Sequence, residues 1–157
     1  MADAASVDHG RQAHVGHWLS RATQRFDARV LSLMARDDQL PLALSHLAGR
    51  GSLNASHLHI SRHLPLNGAR LTELAAWAGI SKQAMGRLVD ECSAWGLVQR
   101  TPDPRDARAK RIAYTEAGRA WVGAMERAVA QAQAELQLAV GAEVATVIVL
   151  GLEAYAS

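Results

Sequence analysis

Apolar residues recur at three- and four-residue steps along most of the chain, which predicts a mainly helical protein. Residues 11 to 36 read as one amphipathic helix. Val15, Trp18, Leu19, Ala22, Phe26, Val30, Leu33 and Met34 form its stripe, with Arg21, Arg25 and Arg29 displaced from it. Pro41 starts a short helical turn through Leu47, and GRGS (49–52) ends it. Asn54 is a good N-cap for a helix running to His63 or Leu64, and PLNG (65–68) is a turn.

The most regular patterning follows. Leu71, Leu74, Ala75 and Ala78 make one face of a short helix that Gly79 stops, since glycine tolerates left-handed backbone. Ile80 packs inward, and Ser81 caps a second helix over Lys82–Ala94. In that helix Met85, Leu88, Val89 and Cys92 form a buried stripe, while Gln83, Gly86, Arg87 and Asp90 lie on the opposite side. Two short helices joined through a glycine-containing turn, the second with a polar face, make a helix-turn-helix. Gly96 closes the second helix. Leu97 to Thr101 and Ala109 to Thr115 read as strands with DPRDAR between them, a hairpin wing directly after the helix-turn-helix. Thr115 then caps a long helix over 116 to 140, with Trp121, Met125, Val129, Ala132 and Leu136 on one side. After Gly141, Val144, Val147, Ile148, Gly151, Leu152 and Tyr155 fall at helical spacing. The β-branched run there also fits a strand, and helix is preferred.

Composition narrows the picture little. A chain of 157 residues is most simply one domain, and 49% hydrophobic content with only 4% aromatic favours helices. A net charge of +2 does not announce a nucleic-acid partner, so the distribution of charge matters more. Of the 17 basic residues all but Lys82 and Lys110 are arginine, a planar fork suited to phosphate and guanine, although a GC-rich genome gives the same bias. The single cysteine, Cys92, excludes an internal disulfide framework and fits a reducing cytoplasm. The opening MADAASVDHG lacks the basic start and apolar segment of a signal peptide. The run from Val144 to Leu152 is too short to span a bilayer, so the expectation is a soluble, cytoplasmic protein.

The stretch RLTELAAWAGISKQAMGRLVDECSAWGLVQRTPDPRDARAKRIAYTEAGRA (70–120) resembles the DNA-binding core of the MarR family, the multiple antibiotic resistance regulators. TELA, GISKQA, LVDE, GLVxR, DPRDxR and TEAG stand in family order. The resemblance implies a mainly α fold with a small β-hairpin wing. In that fold 54–115 is the winged helix-turn-helix, and 11–48 with 116–157 is a helical dimerisation region. It also implies a homodimer, a recognition helix in the major groove and a wing against the minor groove. Many such proteins are repressors released by small phenolic, aromatic or anionic effectors; catalysis is not a family property. Three departures stand out. Arg70 replaces the usual Ser/Thr cap, Cys92 replaces a usual Leu, and the segment around 144–152 is unusually apolar.

The DNA-contacting set is expected to be Arg70, Ser81, Lys82, Gln83, Gly86, Arg87, Asp106, Arg108, Lys110 and Arg111. A helix N-terminus presents free N–H groups to phosphate, so Ser81 and Lys82 position the second helix. Gln83 suits adenine, Arg87 suits guanine, and Gly86 permits close approach. Asp103-Pro104 and Asp106 supply turn chemistry. By resemblance, Arg108 enters the minor groove and Asp106 braces it. Lys110 and Arg111 place at least one charge near phosphate, while Arg105 is doubtful. His59 and His63 at i, i+4, with His57 nearby, have metal-like spacing. With no Cys or carboxylate in that helix, they fit a wet surface or an effector-pocket lining better. Cys92 reads as core, and Trp18, Trp77, Trp95 and Trp121 as packing. No phosphate loop, HExxH or nucleophile elbow occurs, so neither enzyme activity, cofactor nor metal is expected. Two alternatives stay open: a helical-dimer interaction protein that has lost DNA binding, motivated by Asp90 and Glu91, and a redox- or zinc-sensing regulator.

Overall fold

The computed structural model describes residues 14–49 and 55–157. The predicted helix start at 11–13, residues 50–52 of the GRGS turn and the Asn54 cap lie outside the described residues. Helix α1 (Val15–Met34) follows His14, whose Nδ1 accepts the His17 N–H at 3.2 Å. Helix α2 (Leu42–Gly49) runs two residues past its predicted end at Leu47, and α3 (Ala55–His63) precedes the 65–68 turn. The helix-turn-helix is α4 (Leu71–Trp77) and α5 (Lys82–Ala94), with Gly79 and Gly96 at the expected positive φ. Strands β2 (Val98–Asp103) and β3 (Asp106–Tyr114) form the wing. Helices α6 (Glu116–Val140) and α7 (Ala142–Ala156) end the chain.

Two features of the sheet differ from the expected hairpin. Strand β1 (Ala69–Arg70) adds a third, antiparallel strand, pairing Ala69 with Ile112 and Arg70 with Arg111, so the strand order is β1-β3-β2. Two residues carry no period-2 signal, which is why this strand is invisible in the sequence. The wing strands are also longer than predicted, and only residues 104 and 105 separate them. Pro102 fits inside β2 because that strand is an edge, where a missing N–H leaves the ladder intact. The turn before β1 needs its glycine. Gly68 sits at φ 80, and a Cβ there would lie 2.6 Å from the Ile112 carbonyl oxygen.

One core joins the elements. Leu58 of α3, Leu74 of α4, Met85 and Val89 of α5, Ile112 of β3 and Trp121 of α6 are all at most 2% exposed. Buried polar groups find partners: Trp121 Nε1 donates to Ser61 Oγ (3.2 Å) and Tyr114 OH to the Ile60 carbonyl (3.3 Å). Helix α6 lies along α1, held by a bidentate fork from Arg29 to Glu135 (both 2.7 Å) and by Arg127 on Asp37 (2.7 Å). Asp27, buried on α1, takes an ion pair from Arg62 of α3.

The last segment is a helix, not a strand, and the chain direction turns by 118° between α6 and α7. Only Ala145 of α7 is buried; Val144, Val147, Ile148, Val149, Leu150, Leu152 and Tyr155 are exposed. The first half of the α1 stripe is likewise uncovered, with Val15 and Trp18 exposed. Packing was expected for all four tryptophans, but Trp18 and Trp77 are 57% and 52% exposed. Helical spacing names a stripe without saying how far this chain covers it, and Trp77 sits one step off the Leu74–Ala75 face. No single helix among the described residues is long and apolar enough to cross a membrane.

Candidate nucleic-acid interface

The outward face of α5 is set by what its inward face buries. Met85, Val89 and Cys92 are fully buried and Leu88 packs at the edge, so Lys82, Gln83, Arg87 and Asp90 are left exposed. Ser81 has extended backbone, and its Oγ accepts the Ala84 N–H at 3.1 Å, the predicted cap. Among the described residues, Lys82, Gln83 and Arg87 make no side-chain hydrogen bond or ion pair within the chain, which leaves their donors available. Gly86 is half-buried at the margin of this face, and a Cβ there would only touch Leu71 Cδ2 at 3.9 Å.

The acids that argued against DNA are both engaged. Asp90 pairs with Arg100 of β2 (2.7 Å), and Glu91 contacts His57 Nε2 of α3. Each pair ties α5 to a neighbouring element, and Arg100 offsets the negative charge of Asp90 beside the polar face. His57 is buried and packs against Trp95 with the rings tilted by 60° and their centroids 4.7 Å apart, so it does not lie on a wet surface. The side chain of His59 lies outside the described ones, and His63 is half-buried. Among the described residues no group of three or more His, Cys, Asp or Glu is arranged to hold a metal ion. Cys92 is core, as expected, and burial pushes its thiol up to about 12, with Glu91 adding to the effect.

The wing adjoins this helix, with β2 packed against α5. Arg105, Asp106, Arg108 and Lys110 are exposed around its tip. Asp106 Oδ1 accepts the backbone N–H of Arg108 (3.1 Å), so it shapes the turn through the main chain and leaves the guanidinium unbonded among the described residues. Arg111 points back instead, donating to the Asn67 carbonyl (3.3 Å) and contacting that of Gly68. Of the Lys110–Arg111 pair, Lys110 is therefore the one left open.

Two residues play parts that the sequence did not assign. Asp103, expected only as turn chemistry, has a side chain 1% exposed; Oδ1 accepts the Arg105 N–H (2.9 Å) and Oδ2 the Nε of Arg70 (2.6 Å). The Arg105 N–H first, and the Arg70 guanidinium second, hold its carboxyl below the usual carboxylate range against the opposing effect of burial. Arg70, expected at DNA, spends its Nε on this bond. Its guanidinium has no acceptor with which to cap α4. Glu73 supplies half of the missing cap by accepting the Arg70 N–H at 2.7 Å. A pairing of positions 70 and 103 depends on β1, which explains why spacing alone did not find it.

A shallow cleft of about 520 Å³ lies where α1 joins α2, lined by Arg36, Asp37, Leu40 and Ser45 among others. His57, for which an effector-pocket lining was one of the readings left open, does not line it.

Residues 58–109, which span the helix-turn-helix and the wing as far as its tip, match the sequence model of the MarR family. The fold is similar to that of CouR from Rhodococcus jostii RHA1 bound to p-coumaroyl-CoA. Identity is 25%, with 92% of this chain and 93% of that chain covered and a TM-score of 0.66. It is equally similar to a MarR family regulator from Rhodococcus sp. RHA1, at 25% identity, 90% and 93% coverage and a TM-score of 0.65. The transcriptional repressor CouR bound to a 23-mer DNA duplex superposes with a TM-score of 0.66 at 24% identity, covering 92% of this chain and 93% of that one. No curated protein sequence matches the chain.

Proposed function

The chain belongs to the MarR family, and from that premise we propose that it is a ligand-responsive transcriptional repressor, binding a pseudo-palindromic operator as a cytoplasmic homodimer. One observation carries the reading: an outward helix face with unengaged Lys82, Gln83 and Arg87 lies beside a wing whose tip bears a free Arg108 guanidinium. Free donors on a helix face suit base edges in the major groove, and an arginine on a protruding hairpin suits the narrow, negative minor groove. Ser81 and Lys82 at the start of α5 suit phosphate, where the helix dipole adds to the charge.

The homodimer is supported by the apolar side chains that α7 and the start of α1 leave in water. A helix apolar on every side belongs in an interior, and a second copy of the same helices supplies one. Two half-sites related by a two-fold axis follow from such a dimer. Effector control is supported by CouR, whose bound p-coumaroyl-CoA makes a small aromatic or anionic ligand the expected class here.

Arg87→Ala and Arg108→Ala test the contact assignment against a duplex selected from genomic fragments by the unaltered protein. Loss of Arg87 is expected to relax preference at one base position by roughly 1–3 kcal/mol, whereas loss of Arg108 weakens all duplexes alike. If both variants bind as the parent does, the assignment of these residues to DNA is wrong.

A further inference from the structure

Beyond the residues that reach DNA, we propose that Arg70 and Asp103 form a clasp that fixes the wing to the start of the helix-turn-helix, and so positions Arg108 relative to α5. The inference rests on the DNA-binding reading above and names residues that act through others.

The geometry supporting it converges on one carboxylate. Asp103 is the last residue of β2, buried at the base of the wing turn, and both of its oxygens are used. Oδ1 holds the turn through the Arg105 N–H, and Oδ2 holds Arg70, the residue directly before α4. One side chain therefore joins the wing tip to the first helix of the helix-turn-helix across 33 residues of sequence. Two further links run parallel to it. The β1–β3 pairing puts Arg70 opposite Arg111, and Arg111 bonds the carbonyls of the turn before β1.

A two-stranded ribbon standing alone is free to twist and bend at its base. With its base tied at both edges, the wing keeps a set distance from α5, and Arg108 presents itself without a search over orientations. Preorganised contacts bind more tightly because less freedom is lost on association. Removing the half-exposed Arg70 leaves the buried Asp103 carboxylate without its cation, and removing the carboxylate frees Arg70, so the clasp acts as a unit. Arginine also matters by shape. Its Nε donates sideways from a planar group, a geometry that a lysine ammonium does not reproduce.

The test compares Asp103→Asn, Arg70→Met, Arg70→Lys and the double variant Arg70→Met/Asp103→Asn with the parent protein. Amide hydrogen exchange of residues 104–111 is measured without DNA. Affinity and groove-resolved footprints are measured on a duplex selected by the parent protein. Asp103→Asn and Arg70→Met are expected to speed exchange in the wing. Each should also cost about tenfold in affinity, the size of one lost groove contact, with protection lost in the minor groove and kept in the major groove. Arg70→Lys recovers part of both, and the double variant is no worse than either single one. Unchanged wing exchange and an unchanged minor-groove footprint in Asp103→Asn overturn the clasp. Should Arg70→Met fail to fold, Asp103→Asn and Arg70→Lys carry the same readouts. If the parent protein binds no duplex, the functional reading fails by itself, while hydrogen exchange still decides whether the clasp exists.

Discussion

Asp103 is the residue on which local shape and global orientation meet. Its folded carboxyl titrates below the ordinary aspartate value of about 3.9 because the Arg105 N–H and the Arg70 guanidinium favour its charged form. The stabilisation from a depressed carboxylate is present above the unfolded value and disappears as pH falls through the folded one. Wing amides should therefore keep their protection from pH 8 down to 5 and lose it only below about pH 4. Hydrogen exchange against pH checks this; a loss of protection centred between pH 6 and 7 points to a different group. Gly118 makes the same kind of case for a residue whose role is invisible until neighbours are known. It stands in the first turn of α6, where a Cβ would lie 1.9 Å from the Leu97 carbonyl oxygen, so α6 can leave the sheet only at a glycine. Thr115 fixes the same junction, its Oγ1 accepting the Gly118 N–H (3.0 Å) and donating to the Gly96 carbonyl (2.5 Å).

At the scale of elements, α7 carries the sharpest consequence. Val147 and Leu150 are 68% and 58% exposed on a helix with almost no polar face, and covering them is the proposed role of a second copy. Val147→Glu combined with Leu150→Glu is expected to reduce the particle from twice the chain mass to one chain in light scattering, with helical content largely kept. A dimer that persists places the contact elsewhere. The helices were legible because periodicity and caps agreed: Ser81 and Thr115 cap where the pattern says, and α6 occupies its predicted span without change. What was not legible depended on pairing across distance. Strand β1 is too short to show a pattern, the edge position of β2 is what lets Pro102 lie inside a strand, and the Arg70–Asp103 bond exists only because β1 sits beside β3. The exposure of the proposed contact residues was partly legible. Lys82, Gln83, Arg87, Arg108 and Lys110 are exposed as their positions suggested, whereas Arg70 and Arg111 are half-buried and bonded to Asp103 and to the 65–68 turn.

At the scale of the molecule, a near-neutral chain leaves several cations of α5 and the wing free while the acids of α5 are paired. Asp90, Asp103, Glu91 and Glu135 all have basic or histidine partners, while Lys82, Arg87, Arg108 and Lys110 have none among the described residues. Net charge of +2 therefore understates the positive field on the side where α5 and the wing lie. The central claim, binding of duplex DNA through that side, is tested most directly by a salt titration of affinity for a duplex selected from genomic fragments. Counterion release predicts a straight fall of log affinity with log salt, on the order of a thousandfold between 50 and 200 mM for about six phosphate contacts. Failure to bind any duplex at the lowest salt, or an affinity that salt leaves unchanged, contradicts the account.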